Sequence, residues 1–173
     1  MKKTGIFLAA VLICLSLLPK AVSAKTKYVE FRKVLTQEEA KTDKTKTKYS
    51  FVPNRSQKPK EVFVDGDALL TSADIDRIVI IRKEQNIYQG LPIVDMIFTA
   101  RGADKLSRIT SDNIRRELAI LVDGELFSTP FIVHPLTHGH YLLTNWKIAT
   151  NQQAEQFAKD LGFTPAFKTL KKE

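Results

Sequence analysis

Three histidines are the residues of this sequence most capable of chemistry. His134, His138 and His140 are its only histidines and fall within seven residues of one another. On an extended segment His138 and His140 would point to the same side, and His134 could supply a third ligand for zinc from across the loop. No carboxylate has an obvious ligand spacing to them, and Gly139 favours a plain loop. We therefore expect no bound metal and keep a His-loop metal-binding protein as the weakest of three hypotheses.

Other catalytic arrangements are poorer. Ser128, Asp123 and His134 have the composition of a catalytic triad, but no nucleophile elbow surrounds the serine. The sequence contains no Gly-rich phosphate loop, no HExxH motif and no paired-carboxylate motif. We expect a protein that is not an enzyme, with no catalytic residues and no cofactor.

The charge is unevenly distributed along the chain. The 173 residues carry a net charge of +8, which is typical of proteins that bind nucleic acid or an anionic membrane. Residues 25–60 hold eleven Lys/Arg against four acidic residues, whereas residues 61–165 hold ten against fourteen. This pattern predicts a mildly acidic domain with basic extensions. No aromatic residues alternate with the lysines to stack bases, so we expect no nucleic-acid partner.

The N-terminal segment has the pattern of a bacterial signal peptide. Lys2 and Lys3 precede an apolar run of 13 residues at 6–18, too short to cross a bilayer core of about 30 Å. Small residues then lead to a predicted cleavage site after Ala24. The alternative is an uncleaved membrane anchor. Cleavage would remove Cys14, the one cysteine, and would leave an exported, soluble protein in the periplasm or outside the cell.

We predict four segments: a signal peptide at 1–24, a basic arm or linker at 25–60, a domain at 61–165 and a basic tail at 166–173. Residues 41–48 contain no apolar side chain, which favours a solvated linker over a binding arm. An imperfect period of two at 28–35 predicts an edge strand.

The domain is predicted to be rich in strands. Asp123-Gly124 supplies the positive φ angles of a type I′ hairpin turn, Gly66-Asp67 marks another turn, and Thr71 is placed to cap a helical turn at Asp74. The predicted fold class is α+β, a mostly antiparallel sheet with two helices packed on one face as a two-layer sandwich. Strands are expected at 61–65, 78–83, 93–99, 118–122, 125–133 and 140–146, and helices at 103–114 and 151–161.

Part of the chain contains a series of short motifs whose order matches that of a known family. VDMIF at 94–98 is followed by Gly102, TSDNI at 110–114, LAILVDGEL at 118–126 and STP at 128–130, and LLT at 69–71 and EFR at 30–32 precede them. In these motifs the chain resembles the head subdomain of the first periplasmic domain of the SecD/SecDF protein-export family. The resemblance implies an α+β unit that contacts a translocating polypeptide or moves with the pump cycle. The membrane helices of the pump are missing, so it implies a detached head without the motor.

The leading hypothesis is therefore an exported, non-enzymatic interaction domain that binds a polypeptide or envelope protein, with an accessory role in protein export or envelope assembly. The alternative is a peripheral protein that binds an anionic membrane surface through its basic arm. Of the aromatic residues Phe127, Phe131, Tyr141 and Trp146, we expect most to lie in the core.

Overall fold

The computed structural model describes residues 27–83 and 91–170. The predicted signal peptide lies outside the described residues. The strands are β1 (Val29–Leu35), β2 (Thr47–Phe51), β3 (Lys60–Thr71), β4 (Ile75–Lys83), β5 (Ile93–Phe98), β6 (Leu118–Val122), β7 (Glu125–Ser128), β8 (His140–Leu143) and β9 (Ala166–Leu170). The α-helices are α1 (Gln37–Thr42), α2 (Ala100–Asp112) and α3 (Asn151–Asp160), and a short 3-10 helix spans Ser72–Asp74.

The nine strands of the described residues form two sheets. Sheet A has the order β2-β3-β1-β6-β7 and is antiparallel throughout. Sheet B has the order β8-β5-β4-β9, with one parallel pair, β4 with β9. The fold is thus mixed α/β with mostly antiparallel strands, but the expected single sheet is wrong. The sequence pattern identifies strands one at a time and does not say which strands pair.

The main core lies where the two sheets and two of the helices meet. It includes Phe31 from sheet A, Met96 from sheet B, Leu106 from α2 and Phe157 from α3. A smaller cluster on the other face of sheet A contains Ala119 and Leu121 of β6, among others. Strand β6 is therefore buried on both faces, as its continuous apolar sequence LAILV predicts.

The described part of the basic segment, residues 27–60, is not a solvated linker. β1 is a strand as predicted, but it lies between β3 and β6 in the interior of sheet A and not at an edge. Helix α1 follows it, and β2 pairs with β3. The apolar-poor segment 41–48 is ordered by capping, by side-chain bonds to the backbone and by the β2–β3 ladder. The Asp43 carboxylate, for example, accepts from the Thr45 N–H at 2.7 Å.

Two further expectations are also wrong. The predicted turn at Gly66-Asp67 is part of β3, where the pairing with β1 shifts register. A Cβ on Gly66 would lie 2.7 Å from the Thr45 Cβ, so the glycine permits the loop between α1 and β2 to approach β3 closely. The basic tail contributes β9, which pairs in parallel with β4.

Three other local signals of the sequence are confirmed. Asp123 and Gly124 have φ angles of 52° and 82°, as a type I′ turn between β6 and β7 requires. Thr71 and Asp74 form a capping box at the 3-10 helix. Gly162 follows α3 with a φ of 86°.

Candidate functional site

The structure does not gather the three histidines into a metal site. His134 and His138 are exposed in the loop that connects β7 to β8, and His140 begins β8. The His140 Nδ1 lies 3.2 Å from both carboxylate oxygens of Asp95, which is nearly buried on β5. Within residues 27–83 and 91–170 no three His, Cys, Asp or Glu side chains are grouped closely enough to hold a metal ion. Asp95 and His140 are 45 residues apart in sequence and meet because β5 pairs with β8. Their contact could therefore not be predicted from the spacing of residues in the sequence.

The residues with the composition of a triad are also separated. Asp123 lies in the hairpin turn before β7, and Ser128 is the last residue of that strand. Beyond Ser128 the chain continues in the same direction to Ile132, whose N–H donates to the Arg116 carbonyl, so His134 lies past the end of the hairpin opposite to Asp123. Asp123 and His134 are therefore separated by more than the length of β7, which is about 10 Å at about 3.3 Å per residue, and the three side chains do not meet.

Three large apolar side chains are exposed near the start of the β7–β8 loop. Ile114, Phe131 and Val133 are 43%, 58% and 60% exposed, and we call them the apolar ridge. Between the last two, Ile132 is buried, its N–H donates to the Arg116 carbonyl at 2.9 Å, and its carbonyl accepts from the Arg115 N–H at 2.8 Å. The segment is therefore extended, with alternate side chains turned outward.

The apolar ridge is held at both ends by hydrogen bonds. The Pro130 carbonyl accepts from the Leu118 N–H at 2.9 Å. Farther along, the buried Thr110 hydroxyl of α2 accepts from the Leu136 N–H at 2.9 Å while donating to the Leu106 carbonyl. Thr110 thus satisfies backbone groups, and the loop carrying the ridge is fixed to α2.

A second surface feature joins parts of the chain that are distant in sequence. The Arg55 guanidinium carbon lies 5.6 Å from the centre of the Trp146 ring, and the Lys147 Nζ lies 5.9 Å from it. We call Arg55, Trp146 and Lys147 the cation–aromatic patch. Arg55 comes from the β2–β3 loop, so nothing in the local sequence indicates this contact.

Of the four aromatic residues expected mostly in the core, Phe127 and Tyr141 pack against it. Phe127 stacks on Phe157 with ring centres 5.5 Å apart. Tyr141 packs edge-on against Phe31 at 5.6 Å, and burial raises the pKa of its hydroxyl well above the ordinary range. Phe131 is mostly exposed, and Trp146 lies in the cation–aromatic patch, so only half of the four are core residues.

Glu39 links three parts of sheet A and its neighbours. Its carboxylate accepts from the Lys33 Nζ at 2.7 Å and from the Thr36 N–H at 2.8 Å, and it also pairs with Arg116. The hydrogen bond from Lys33, followed by the one from the Thr36 backbone, lowers the pKa of Glu39 to about 2. The ionised carboxylate therefore fixes α1 to β1 and to the segment before β6.

We expect Glu39 to contribute to the acid sensitivity of the fold. Its pKa is lower in the folded state than in the unfolded state, so its stabilisation is present above about pH 5 and is lost as the pH falls toward 2. In Glu39→Gln, the free energy of unfolding should fall less steeply between about pH 5 and pH 2. Urea titrations across this range test the slope. Glu38→Gln is the control, because Glu38 is exposed and pairs only with Lys41 among the described residues; equal slopes in wild type and Glu39→Gln would contradict the prediction.

Sequence comparisons identify relatives of the chain. A family model described as SecDF, P1 head subdomain, matches residues 46–162, more than half of the chain. Protein translocase subunit SecD of Acidaminococcus fermentans is 32% identical over 95 residues, covering 55% of this chain and 21% of that protein. Protein translocase subunit SecDF of Thermus thermophilus is 30% identical over 101 residues, covering 58% of this chain and 12% of that protein. The chain thus spans a small part of the length of either relative.

Solved structures show the same fold. The membrane component SecDF that enhances protein export superposes with a TM-score of 0.55 at 21% identity, covering 80% of this chain and 63% of that one. SecDF in its super-membrane-facing form also gives a TM-score of 0.55, at 23% identity, covering 80% of this chain and 19% of that one. Together with the match over residues 46–162, these similarities confirm the resemblance carried by the VDMIF, TSDNI and LAILVDGEL motifs. The chain belongs to the SecDF P1 head subdomain family.

Proposed function

We propose that this chain is an exported, non-enzymatic interaction domain that binds extended polypeptide, with an accessory role in protein export. Its family membership supports this function, since the relatives are subunits of the protein translocase and one is described as enhancing protein export. None of the helices in the described part of the chain is long and apolar enough to cross a membrane. The proposal includes export by the signal peptide to the periplasm or the cell exterior.

The apolar ridge is the observation that carries the proposal. Single exposed apolar residues are common on protein surfaces, but here Phe131 and Val133 are each more than half exposed and separated by one residue. Side chains two apart on an extended chain lie about 7 Å from each other. An extended partner with apolar residues at alternate positions has the same spacing. Such a segment could therefore lie along the ridge with its apolar side chains against Phe131 and Val133.

The ridge also has the rigidity that a binding surface requires. Ile132 is buried, and both its N–H and its carbonyl are hydrogen-bonded. The Leu136 N–H donates to the Thr110 hydroxyl of α2. A partner would therefore bind without the cost of ordering this segment, which otherwise reduces affinity.

Peptide binding tests the proposal. Phe131→Ser with Val133→Ser should weaken binding of a fluorescently labelled peptide with alternate apolar residues by about tenfold or more, since half-burying such side chains contributes on the order of 1–2 kcal/mol. Fluorescence anisotropy measures the affinity. Because both side chains are exposed, the thermal midpoint should change little.

A matched control is available on β8. Leu142 is 52% exposed but lies on sheet B, away from the ridge, so Leu142→Ser should leave peptide affinity unchanged. A photo-crosslinking residue at position 133 should capture the peptide, and one at position 142 should not. The proposal fails if the double variant Phe131→Ser with Val133→Ser binds as tightly as the wild type, or if Leu142→Ser weakens binding equally.

In the alternative, a peripheral protein that binds an anionic membrane surface through its basic arm, the arm is not a separate segment. Much of the segment at 25–60 is folded into sheet A through β1 and β2. Its positive charge is therefore presented on the surface of a folded domain, in defined places.

A further inference from the structure

The cation–aromatic patch combines two positive charges with one indole ring. Arg55 and Lys147 both lie within about 6 Å of the Trp146 ring centre, and the Lys147 Nζ is also 5.3 Å from the centre of the Phe127 ring. Each cation is close enough to the aromatic ring for a favourable cation–π interaction. The patch is therefore a local concentration of positive charge around an amphipathic side chain.

The positive charge of the patch is not neutralised by neighbouring carboxylates. Among the residues that the structure describes, Arg55 and Lys147 form no ion pair, and neither does the exposed Lys58 of the same β2–β3 loop. By contrast, the flanking Lys48 and Lys60 are paired with Glu61 and Glu117. The charge that remains available to an external anion in this region is thus concentrated at the patch.

The backbone under the patch is fixed. The Asn145 side chain donates to the Phe127 carbonyl at 3.0 Å and accepts from the Lys147 N–H at 2.9 Å. Asn145 is itself buried, so it sets the positions of Trp146 and Lys147 relative to β7. The Trp146 and Lys147 part of the patch is therefore preformed.

We propose that the cation–aromatic patch contacts the surface of anionic phospholipid bilayers. Tryptophan is enriched at the membrane–water interface, where its ring lies at headgroup level, and basic side chains are attracted to anionic headgroups. The patch presents both kinds of group side by side, with charge complementary to a phosphate-bearing surface. This inference does not depend on polypeptide binding, because it involves different residues.

The single tryptophan of the chain makes the patch directly observable. Trp146 is the one tryptophan among the 173 residues, so intrinsic tryptophan fluorescence reports on this position alone. On mixing the full chain with vesicles of phosphatidylglycerol and phosphatidylcholine, we expect a blue shift of the emission. Vesicles of pure phosphatidylcholine should give none. Raising the salt to about 0.5 M should reverse the shift, since it shortens the Debye length to a few ångströms.

Charge removal tests the assignment of the site. Arg55→Gln and Lys147→Gln should each weaken vesicle affinity about fivefold, and the double variant about 25-fold. Lys44→Gln is the matched control, because it removes an exposed lysine from the same basic segment but away from the patch. Circular dichroism and the thermal midpoint should be the same for all four variants.

Several outcomes would overturn the proposal. These are no charge-selective vesicle binding, binding without a change in Trp146 emission, or equal weakening by Lys44→Gln. A blue shift with a soluble polyanion but not with vesicles would assign the patch to a different class of partner. Loss of peptide binding at the apolar ridge would leave all of these readouts unaffected, so the two proposals fail separately.

Discussion

The Gly102→Ala variant should be destabilised by about 2–3 kcal/mol, although alanine is the better helix former by about 1 kcal/mol. Gly102 lies in the first turn of α2, and a Cβ there would overlap the Asp74 carbonyl oxygen and lie 3.1 Å from the Asp74 Cβ. The overlap is far inside van der Waals contact, and the oxygen belongs to the backbone. The steric cost should therefore exceed the gain in helix propensity.

Neither side of this contact can move without breaking other bonds. The Asp74 carbonyl accepts from the Thr99 N–H at 2.9 Å, and the Asp74 carboxylate accepts from the Thr71 N–H at 3.1 Å and from the Lys105 Nζ at 2.7 Å. On the other side, the Gly102 N–H donates to the Thr99 hydroxyl at 3.1 Å. A shift of α2 away from the 3-10 helix would weaken this whole capping network.

Urea unfolding of Gly102→Ala beside Arg101→Ala tests this reasoning. Both variants place an alanine in the same helical turn, but Arg101 is exposed, so Arg101→Ala should change the free energy of unfolding by less than about 0.5 kcal/mol. A fall in the thermal midpoint of about 5–10 °C should accompany the loss in Gly102→Ala. If Gly102→Ala is as stable as the wild type, the close approach of α2 to Asp74 is not as described.

The sequence predicts features that depend on a few neighbouring residues. The Asp123-Gly124 hairpin, the Thr71 cap and the Gly162 stop all follow from local backbone preferences, and each is confirmed. Gly102 is one of the residues in which the chain resembles the family, but neighbouring residues do not explain why a glycine is needed there. The need for glycine there arises from Asp74, which approaches from a segment nearly thirty residues earlier.

Features that depend on strand pairing could not be predicted. β1 has too few apolar residues to look like an interior strand, and β9 has the composition of a basic tail, yet both are paired within sheets. The same limit applies to the candidate sites. Arg55 meets Trp146, and Asp95 meets His140, only because segments distant in sequence are adjacent in space. The sequence shows that the residues of the apolar ridge are apolar, but it does not show that they are exposed. Their exposure follows from the burial of the Ile132 side chain, which turns Phe131 and Val133 outward.

The second large effect is expected at β1. Phe31→Ala should destabilise the protein by about 3–5 kcal/mol, the usual cost of removing a buried phenylalanine ring. The Phe31 side chain is fully buried, and its ring centre lies 5.9 Å from that of Phe98 and 5.6 Å from that of Tyr141. These contacts join sheet A to sheet B, so the cavity would lie at the centre of the main core.

Tyr28→Ala is the matched control, because Tyr28 is an aromatic residue next to β1 but is 42% exposed, and its backbone bond to Asp123 would be kept. We expect a loss below about 1 kcal/mol for this variant, measured by urea unfolding beside Phe31→Ala. Equal losses in the two variants would mean that β1 is not part of the cooperative unit. The match to the family begins at residue 46, after β1. Comparing the two variants therefore tests whether the folded unit starts before the matched residues. A large loss of unfolding free energy in Phe31→Ala, with little loss in Tyr28→Ala, would show that β1 is part of the folded domain. The reason is that β1 lies between β3 and β6, where Phe31 packs against aromatic rings of sheet B.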